Sequence, residues 1–287
     1  MRVVCVHGIG KQLLGERTLL KVWLPALQDG IARVGAVGAV RDSEVGMAFY
    51  GELFRPVGLR LDVGDPPYTS TDVEDGLERE LLLAWWVEAA RVDRQVVPPD
   101  ADSLVRVPGS AQTALRALSR SRFFANVALR AMVSDLKQVR RYLTEPVLRA
   151  DVRRRVLRLI DEDTRVVVGH SLGSVVAYEV LCELAATGAR SGIHLVTMGS
   201  PLGIPNLVFD RLDPAPRHGV GAWPCPGDGA WTNIVDAGDV VALVKDLRPR
   251  FGQEVNGFEV HNDVHAHSAT PYLTDAVTGR AIVDALQ

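Results

Sequence analysis

The stretch that decides the fold is Val166–Val176, which reads VVVGHSLGSVV in one-letter code. It begins with an apolar, β-branched run without alternation, which is typical of a parallel strand buried on both faces. The run breaks at Gly169, and a helical apolar pattern follows and ends at Gly188. The sequence therefore predicts a central strand, a sharp turn and a helix.

Strands and helices alternate on both sides of this stretch. Further apolar runs predict strands at Val3–Val6, Met47–Tyr50, His194–Met198, Trp231–Val235 and Glu254–Val260. Amphipathic patterns predict helices over 13–34, 73–94 and the C-terminal residues. We therefore expect an α/β fold over residues 1–287 as a single domain, with a mostly parallel sheet of about six strands flanked by helices. Residues 56–160, which start with a Pro/Gly-rich loop at 56–72, form a helical insertion within it.

Composition excludes several classes of function. The net charge is −3 and aromatic residues make up 6% of the chain, which argues against nucleic acid as a partner. No apolar run reaches the roughly 18 residues of a transmembrane segment, and Val3–Val6 follows Met1 too closely for a signal peptide. The three cysteines are scattered, unlike a disulfide framework. We expect a reduced, cytoplasmic protein.

Residues 110–160 are basic, although the whole chain is net negative. They contain twelve Lys and Arg residues against three Asp and Glu residues. One interpretation is a set of solvated helix faces. The other is a surface that makes peripheral contact with an anionic lipid headgroup.

The turn Gly169–Gly173 matches the pattern G-x-S-x-G, with a strand before it and a helix after it. Glycines two residues on either side of Ser171 permit a turn so sharp that the serine is strained and its hydroxyl exposed. The helix start beneath it favours negative charge that develops during acyl transfer. The pattern predicts that Ser171 is a nucleophile.

A second motif, His7–Gly10, ends the first predicted strand. Acyl transfer needs two backbone N–H donors for the oxyanion, one after the nucleophile and one from such a loop. We assign these roles to Leu172 and Ile9, and we expect His7 to brace the loop. The glycine spacing does not match the G-x-G-x-x-G or G-x-x-x-x-G-K-[ST] patterns of nucleotide-binding loops.

Together the two motifs resemble those of the α/β-hydrolase superfamily, specifically its lipase/esterase-like branch. The resemblance covers about residues 1–55 and 160–287. It implies an α/β-hydrolase fold that is reduced at the N-terminus, because the superfamily usually has two strands before the oxyanion loop. It also implies a Ser-His-Asp triad, and we expect no cofactor and no metal.

The family's order of serine, acid and histidine puts the acid after the strand Trp231–Val235. Asp239 resembles the family pattern of an aspartate before a Val-containing helix start, so we favour it. Asp236 is the alternative, and the carboxylate that is not the acid is expected to brace the turn.

The histidine is expected after the last strand. His267 fits a lipase-like pattern of a histidine followed by an aromatic residue, here Tyr272, that opens a helix. His265 and His261 are the alternatives. The cluster also allows a zinc interpretation with Asp263, for which the sequence supplies no second set of ligands.

We expect a serine hydrolase of carboxylic esters, with a small-molecule or lipid ester as substrate. The segment 201–229 is apolar enough to line an acyl pocket or to act as a lid, which favours an apolar acyl group, although it also fits a packed surface loop. Two alternatives remain open: an acyltransferase or thioesterase with the same triad, and a non-catalytic binding module on this fold.

Overall fold

The computed structural model describes residues 1–55, 68–99, 110–122, 124 and 129–287. Its described strands form one six-stranded sheet in which every neighbouring pair is parallel, in the order β2-β1-β3-β4-β5-β6. The strands are β1 (Val3–Val6), β2 (Val45–Ala48), β3 (Val166–His170), β4 (His194–Met198), β5 (Trp231–Asp236) and β6 (Val255–Val260). The predicted α/β architecture with about six strands is confirmed.

Helices cover both faces of the sheet. They are α1 (Glu16–Arg33), α2 (Leu77–Val92), α3 (Ser110–Leu118), α4 (Leu129–Thr144), α5 (Pro146–Leu157), α6 (Leu172–Thr187), α7 (Arg248–Phe251), α8 (Ala269–Thr274) and α9 (Ala276–Ala285). On one face, α1, α8 and α9 pack on Val3, Cys5 and Val168. On the other face, helices α2 to α7 pack on a cluster that includes Val4 and Val167. Because both faces are covered, the central strands β1 and β3 are fully buried and start with apolar runs that do not alternate, whereas most of the edge strand β6 is exposed.

The neighbouring strands β1 and β3 set the position of the two sequence motifs. Val3 pairs with Val166 and Val6 pairs with Gly169, so the two strands end at the same level. The loop after β1 therefore emerges beside the turn after β3. This register brings two motifs that are 160 residues apart in the chain to one edge of the sheet.

The described part of the helical segment 56–160 consists of α2 to α5 and their connections. Most of the loop predicted at 56–72 lies outside the described residues. None of the helices in the described part of the chain is long and apolar enough to cross a membrane.

Most of the positive charge of residues 110–160 is neutralised within the fold. Seven of the twelve Lys and Arg side chains form ion pairs with carboxylates: Lys137, Arg140, Arg141, Arg149, Arg153, Arg154 and Arg155. Two of the carboxylate partners, Glu78 and Glu179, are fully inaccessible to solvent. The pairs of Lys137 and Arg140 with Glu78 connect α4 to α2, and the pairs of Arg149 and Arg153 with Glu179 and Glu183 connect α5 to α6.

The apolar segment 201–229 packs into the core. Its larger side chains contact the same cluster as α6 and α7, and Leu202, Val208 and Phe209 are at most 1% exposed. Phe209 meets the ring of Phe251 edge-on at 5.3 Å between ring centroids. Burial against the sheet, and not the formation of a cleft wall, accounts for the apolar character of this segment.

Candidate functional site

Ser171 lies at the junction of β3 and α6 in a strained conformation, with φ 55° and ψ −128°. The flanking glycines make this turn feasible. A Cβ on Gly169 would lie 2.7 Å from the carbonyl oxygen of Gly173, and one on Gly173 would lie 2.2 Å from that of Val6. Larger residues would push α6 away from the sheet, so the turn adopts the geometry that its sequence predicts.

Three residues from separate loops form a continuous hydrogen-bonded chain at this turn. The Nε2 atom of His267 lies 2.9 Å from Oγ of Ser171, and its Nδ1 atom lies 2.8 Å from Oδ2 of Asp239. The carboxylate accepts the Nδ1 proton, which leaves Nε2 free to accept the serine proton. The structure thus brings together the three residues that sequence reasoning favoured.

Asp239 is completely buried and its carboxylate is saturated with donors. Its Oδ1 atom accepts the N–H groups of Val241 and Ala242, at 2.9 and 3.2 Å, and its Oδ2 atom also accepts the Tyr272 hydroxyl at 2.9 Å. Burial alone would raise the pKa of Asp239, but the interaction with His267 and these donors hold that pKa below its usual value. Asp239 is therefore ionised at neutral pH.

The alternative acid, Asp236, has a different task. Its Oδ1 atom accepts the N–H of Gly238 at 2.6 Å, and its Oδ2 atom accepts the N–H of Asn262. These bonds close the turn after β5 and tie it to the loop after β6. Asp236 is thus a bracing residue for the loop that leads to His267.

The two alternative histidines lie apart from this chain of hydrogen bonds. His265 belongs to a short 3₁₀ turn, Asp263–His265, and lines the cleft in front of Ser171. His261 borders a different cavity, of about 320 Å³, next to Asp236. His267 is therefore the histidine that the fold presents to Ser171.

His170 also contributes to the site, although sequence reasoning did not single it out. Its Nε2–H donates to the backbone carbonyl of His267 at 2.8 Å, and the two rings are 4.8 Å apart. Burial, together with the nearby His267, lowers the pKa of His170 well below its usual value. A neutral imidazole thus anchors the main chain of His267, and its only sequence signal was its place before Ser171.

The loop after β1 passes directly over Ser171. A Cβ on Gly8 would lie 2.8 Å from Cβ of Ser171. Ile9 lines the same cleft, and Leu172 is the first residue of α6, so its N–H has no acceptor within the helix. Both expected oxyanion donors therefore belong to backbone that borders the serine.

His7 braces this loop from below. Its Nδ1–H donates to the carbonyl of Gly8 at 2.6 Å, and its Nε2 accepts the N–H of Tyr50 at 3.2 Å. The Tyr50 hydroxyl donates in turn to the carbonyl of His7. Burial lowers the pKa of His7 to about 4, so the ring stays neutral and keeps both bonds.

A cleft of about 830 Å³ opens in front of Ser171. Its apolar lining includes Leu14, Val22 and Trp23 from the stretch 13–23, together with Trp85 and Phe124. Leu14 and Val22 remain 39% and 52% exposed, so apolar surface is open to a ligand. The segment 201–229 does not line this cleft.

The reactive groups of the site are a hydroxyl, an imidazole and a carboxylate. Within the described residues, no group of three or more His, Cys, Asp or Glu side chains is placed to hold a metal ion. Comparison of the chain with protein-family profiles, with curated proteins and with solved structures found no match.

Proposed function

We propose that this protein is a serine hydrolase that cleaves carboxylic esters through an acyl-enzyme. The observation that carries the proposal is the hydrogen-bonded chain Ser171–His267–Asp239, with distances of 2.9 and 2.8 Å, at the base of an open cleft. A nucleophile, a base and a group that orients the base are the minimum set for nucleophilic acyl transfer.

In the first half-reaction, Ser171 Oγ attacks the ester carbonyl while Nε2 of His267 takes the serine proton. The Asp239 carboxylate orients the ring and stabilises the imidazolium that forms. His267 then gives its proton to the departing alcohol, which leaves Ser171 acylated. In the second half-reaction, His267 activates a water molecule, and the acid product leaves with the serine restored.

The tetrahedral intermediate carries a negative oxygen, and the N–H groups of Ile9 and Leu172 are the proposed donors to it. Removal of one such donor typically costs about 100- to 1,000-fold in kcat. The N-terminus of α6 beneath the serine adds a favourable dipole.

An apolar acyl group fits this cleft best. Leu14, Val22, Trp23, Trp85 and Phe124 contribute apolar surface to its lining. Burial of alkyl chain against such surface is worth about 0.8 kcal/mol per methylene. A lipid ester is therefore a suitable substrate class, whereas the ion pairs within residues 110–160 leave fewer free cations for contact with an anionic lipid than the sequence alone indicates.

The first test is labelling with a fluorophosphonate probe, which reacts with activated serines. We expect the wild-type protein to be labelled and the Ser171→Ala variant to remain unlabelled. Ser119→Ala is the matched control, because Ser119 directly follows α3, lies outside the cleft, and its hydroxyl donates to the carbonyl of Arg116 at 2.9 Å. Labelling that persisted in Ser171→Ala would refute the proposal.

The second test is a series of p-nitrophenyl esters from acetate to dodecanoate. We expect kcat/KM to rise with chain length. Val22→Ser should lower kcat/KM selectively for the longer esters. Val37→Ser is the control, because Val37 is 82% exposed and lies outside the cleft. Turnover that required an added alcohol or thiol acceptor would assign acyl transfer instead of hydrolysis.

A further inference from the structure

One side chain of the helical segment is bonded directly to the loop over Ser171. Gln138 lies on α4 and is 4% exposed. Its Oε1 atom accepts the N–H of Gly10 at 3.2 Å, and its Nε2 atom donates to Oε1 of Gln12 at 3.3 Å. Nε2 is also 3.2 Å from Oγ of Ser134, one turn earlier on the same helix. A single amide thus holds two points of the loop.

The loop depends on these hydrogen bonds because its glycines make the backbone conformationally flexible. Gly8 and Gly10 give the backbone wide freedom, and Gly10 uses it with φ 72°. The bonds of His7 fix the start of the loop, and the bond from Nε of Arg55 to the carbonyl of Gln12, at 2.6 Å, fixes its end. Gln138 secures the part between them, which includes the backbone next to Ile9.

We infer that Gln138 is a positioning residue that holds the loop of residues 8–12 in the conformation that aims its backbone N–H at the oxyanion. The inference rests on the proposed function, because the loop is an oxyanion loop only if Ser171 performs acyl transfer. Oxyanion donors act over 2.7–3.1 Å, so a small displacement of the loop weakens them. The helical segment then contributes to catalysis itself and does not only enclose the cleft.

The chemistry of an amide explains why a glutamine is suited to this place. It offers an acceptor to Gly10 and donors to Gln12 at the same time. An ionised glutamate keeps the acceptor and loses the donors, whereas leucine loses both, so neither Gly10 nor Gln12 is bonded to α4 at this position.

The test compares Gln138→Leu and Gln138→Glu with the wild type on a soluble ester. In Gln138→Leu we expect kcat to fall at least about tenfold with KM changed less than about twofold, because the loss falls on the transition state. Gln138→Glu should retain more activity, and its kcat relative to wild type should rise as the pH falls, because the protonated carboxyl regains a donor. A purely structural role would not produce this pH dependence.

Tyr142→Phe is the matched control on the same helix. It removes a buried hydrogen bond of 2.6 Å to Glu179 and does not touch the loop. We expect a lower Tm with kcat near the wild-type value. If Gln138→Leu behaved in the same way, the inference would be wrong.

Amide hydrogen exchange tests the positioning without relying on activity. A peptide that covers residues 7–14 should exchange faster in Gln138→Leu than in wild type or Tyr142→Phe. Unchanged exchange would overturn the inference even if the enzyme were active. Absence of ester turnover and of Ser171 labelling in the wild type would instead refute the proposed function, and the exchange result would still decide whether Gln138 holds the loop.

Discussion

The hydroxyl of Tyr272 donates to Oδ2 of Asp239, the same carboxylate oxygen that accepts the Nδ1–H of His267. The hydroxyl also accepts the backbone N–H of Asp236 at 2.8 Å. Burial, followed by the neighbouring Asp239 charge, raises the pKa of Tyr272, so the phenol remains a donor. One side chain therefore connects the proposed acid with the residue that braces its turn.

Replacement Tyr272→Phe should lower both kcat and stability. Without the phenol, the Asp239 carboxylate loses one of its hydrogen-bond donors and orients the His267 ring less firmly. We expect kcat to fall about three- to tenfold and stability to fall by about 1–2 kcal/mol, because the Asp236 N–H loses its acceptor. Tyr178→Phe, which removes a 2.8 Å bond to the carbonyl of Ala222, should lower stability and leave kcat near the wild-type value.

Mutation should distinguish the roles of the two neighbouring aspartates. Asp239→Asn disturbs the tautomer of His267, and we expect kcat to fall by about 1,000- to 10,000-fold with little change in fold. Asp236→Asn weakens the bonds to Gly238 and Asn262, so we expect loss of about 1–2 kcal/mol of stability with most of kcat retained. Parallel kinetics and urea unfolding check both outcomes. The reverse ranking of kcat would assign the acid role to Asp236.

Gly8→Ala should damage activity more than stability. The new methyl would lie 2.8 Å from Cβ of Ser171, so the loop must move away from the serine. We expect kcat to drop about 100-fold, as for loss of one oxyanion donor, and CD spectra to remain those of a folded protein. Gly15→Ala is the control, because among the described residues no atom beyond its chain neighbours lies within 4 Å of the added methyl. Equal activities of the two variants would contradict the assigned loop geometry.

Stability should fall on mild acidification because His7 is buried in its neutral form. Its pKa is lowered from 6.5 to about 4, so between these values the unfolded chain binds more protons than the folded chain. Its contribution is therefore present above pH 6.5 and declines as the pH falls, by about 2 kcal/mol at pH 5. Urea unfolding at pH 7.5 and 5 measures the loss. His7→Gln should show a smaller difference between the two pH values than wild type, whereas His218→Asn, at an exposed site, should match wild type.

Local patterns were sufficient to predict the fold class and the turn that presents Ser171. The strand, turn and helix around Ser171 are contiguous, and the close contacts of Gly169 and Gly173 make that turn dependent on its own residues. The burial of β1 and β3 on both faces is likewise indicated by their local sequences, which are apolar and rich in valine. These features need no knowledge of distant residues.

The choice between Asp236 and Asp239 depended on the backbone path. The N–H of Asp239 donates to the carbonyl of Asp236 at 3.0 Å, which closes a tight turn and separates the two carboxylates. One then faces Asn262 and the other faces His267. Sequence alone does not reveal the direction of each side chain from such a turn, so both candidates had to remain open.

The apolar segment 201–229 shows a second limit of prediction from sequence. Apolar composition signals burial but does not say whether the partner is the core or a ligand cleft. The cleft wall instead comes from residues 13–23, whose first two members fit a helical period but precede the helix. The N–H of Leu14 bonds to the carbonyl of Lys11 at 3.0 Å, and α1 begins only at Glu16. Gln138 carried no local signal, because a polar residue on an amphipathic helix is expected on its solvated face.

The loop over Ser171 and one wall of the cleft belong to a single uninterrupted stretch, residues 8–23. A mutation that widens this wall is expected to displace the loop as well. A wider range of accepted esters would then come with a lower kcat. Trp85 on α2 and Phe124 line the same cleft from other parts of the chain, so changes at these two residues leave the backbone of residues 8–23 unaltered. Divergence toward new esters, whether natural or in a laboratory library, should therefore accumulate at Trp85 and Phe124 while residues 8–23 stay nearly constant.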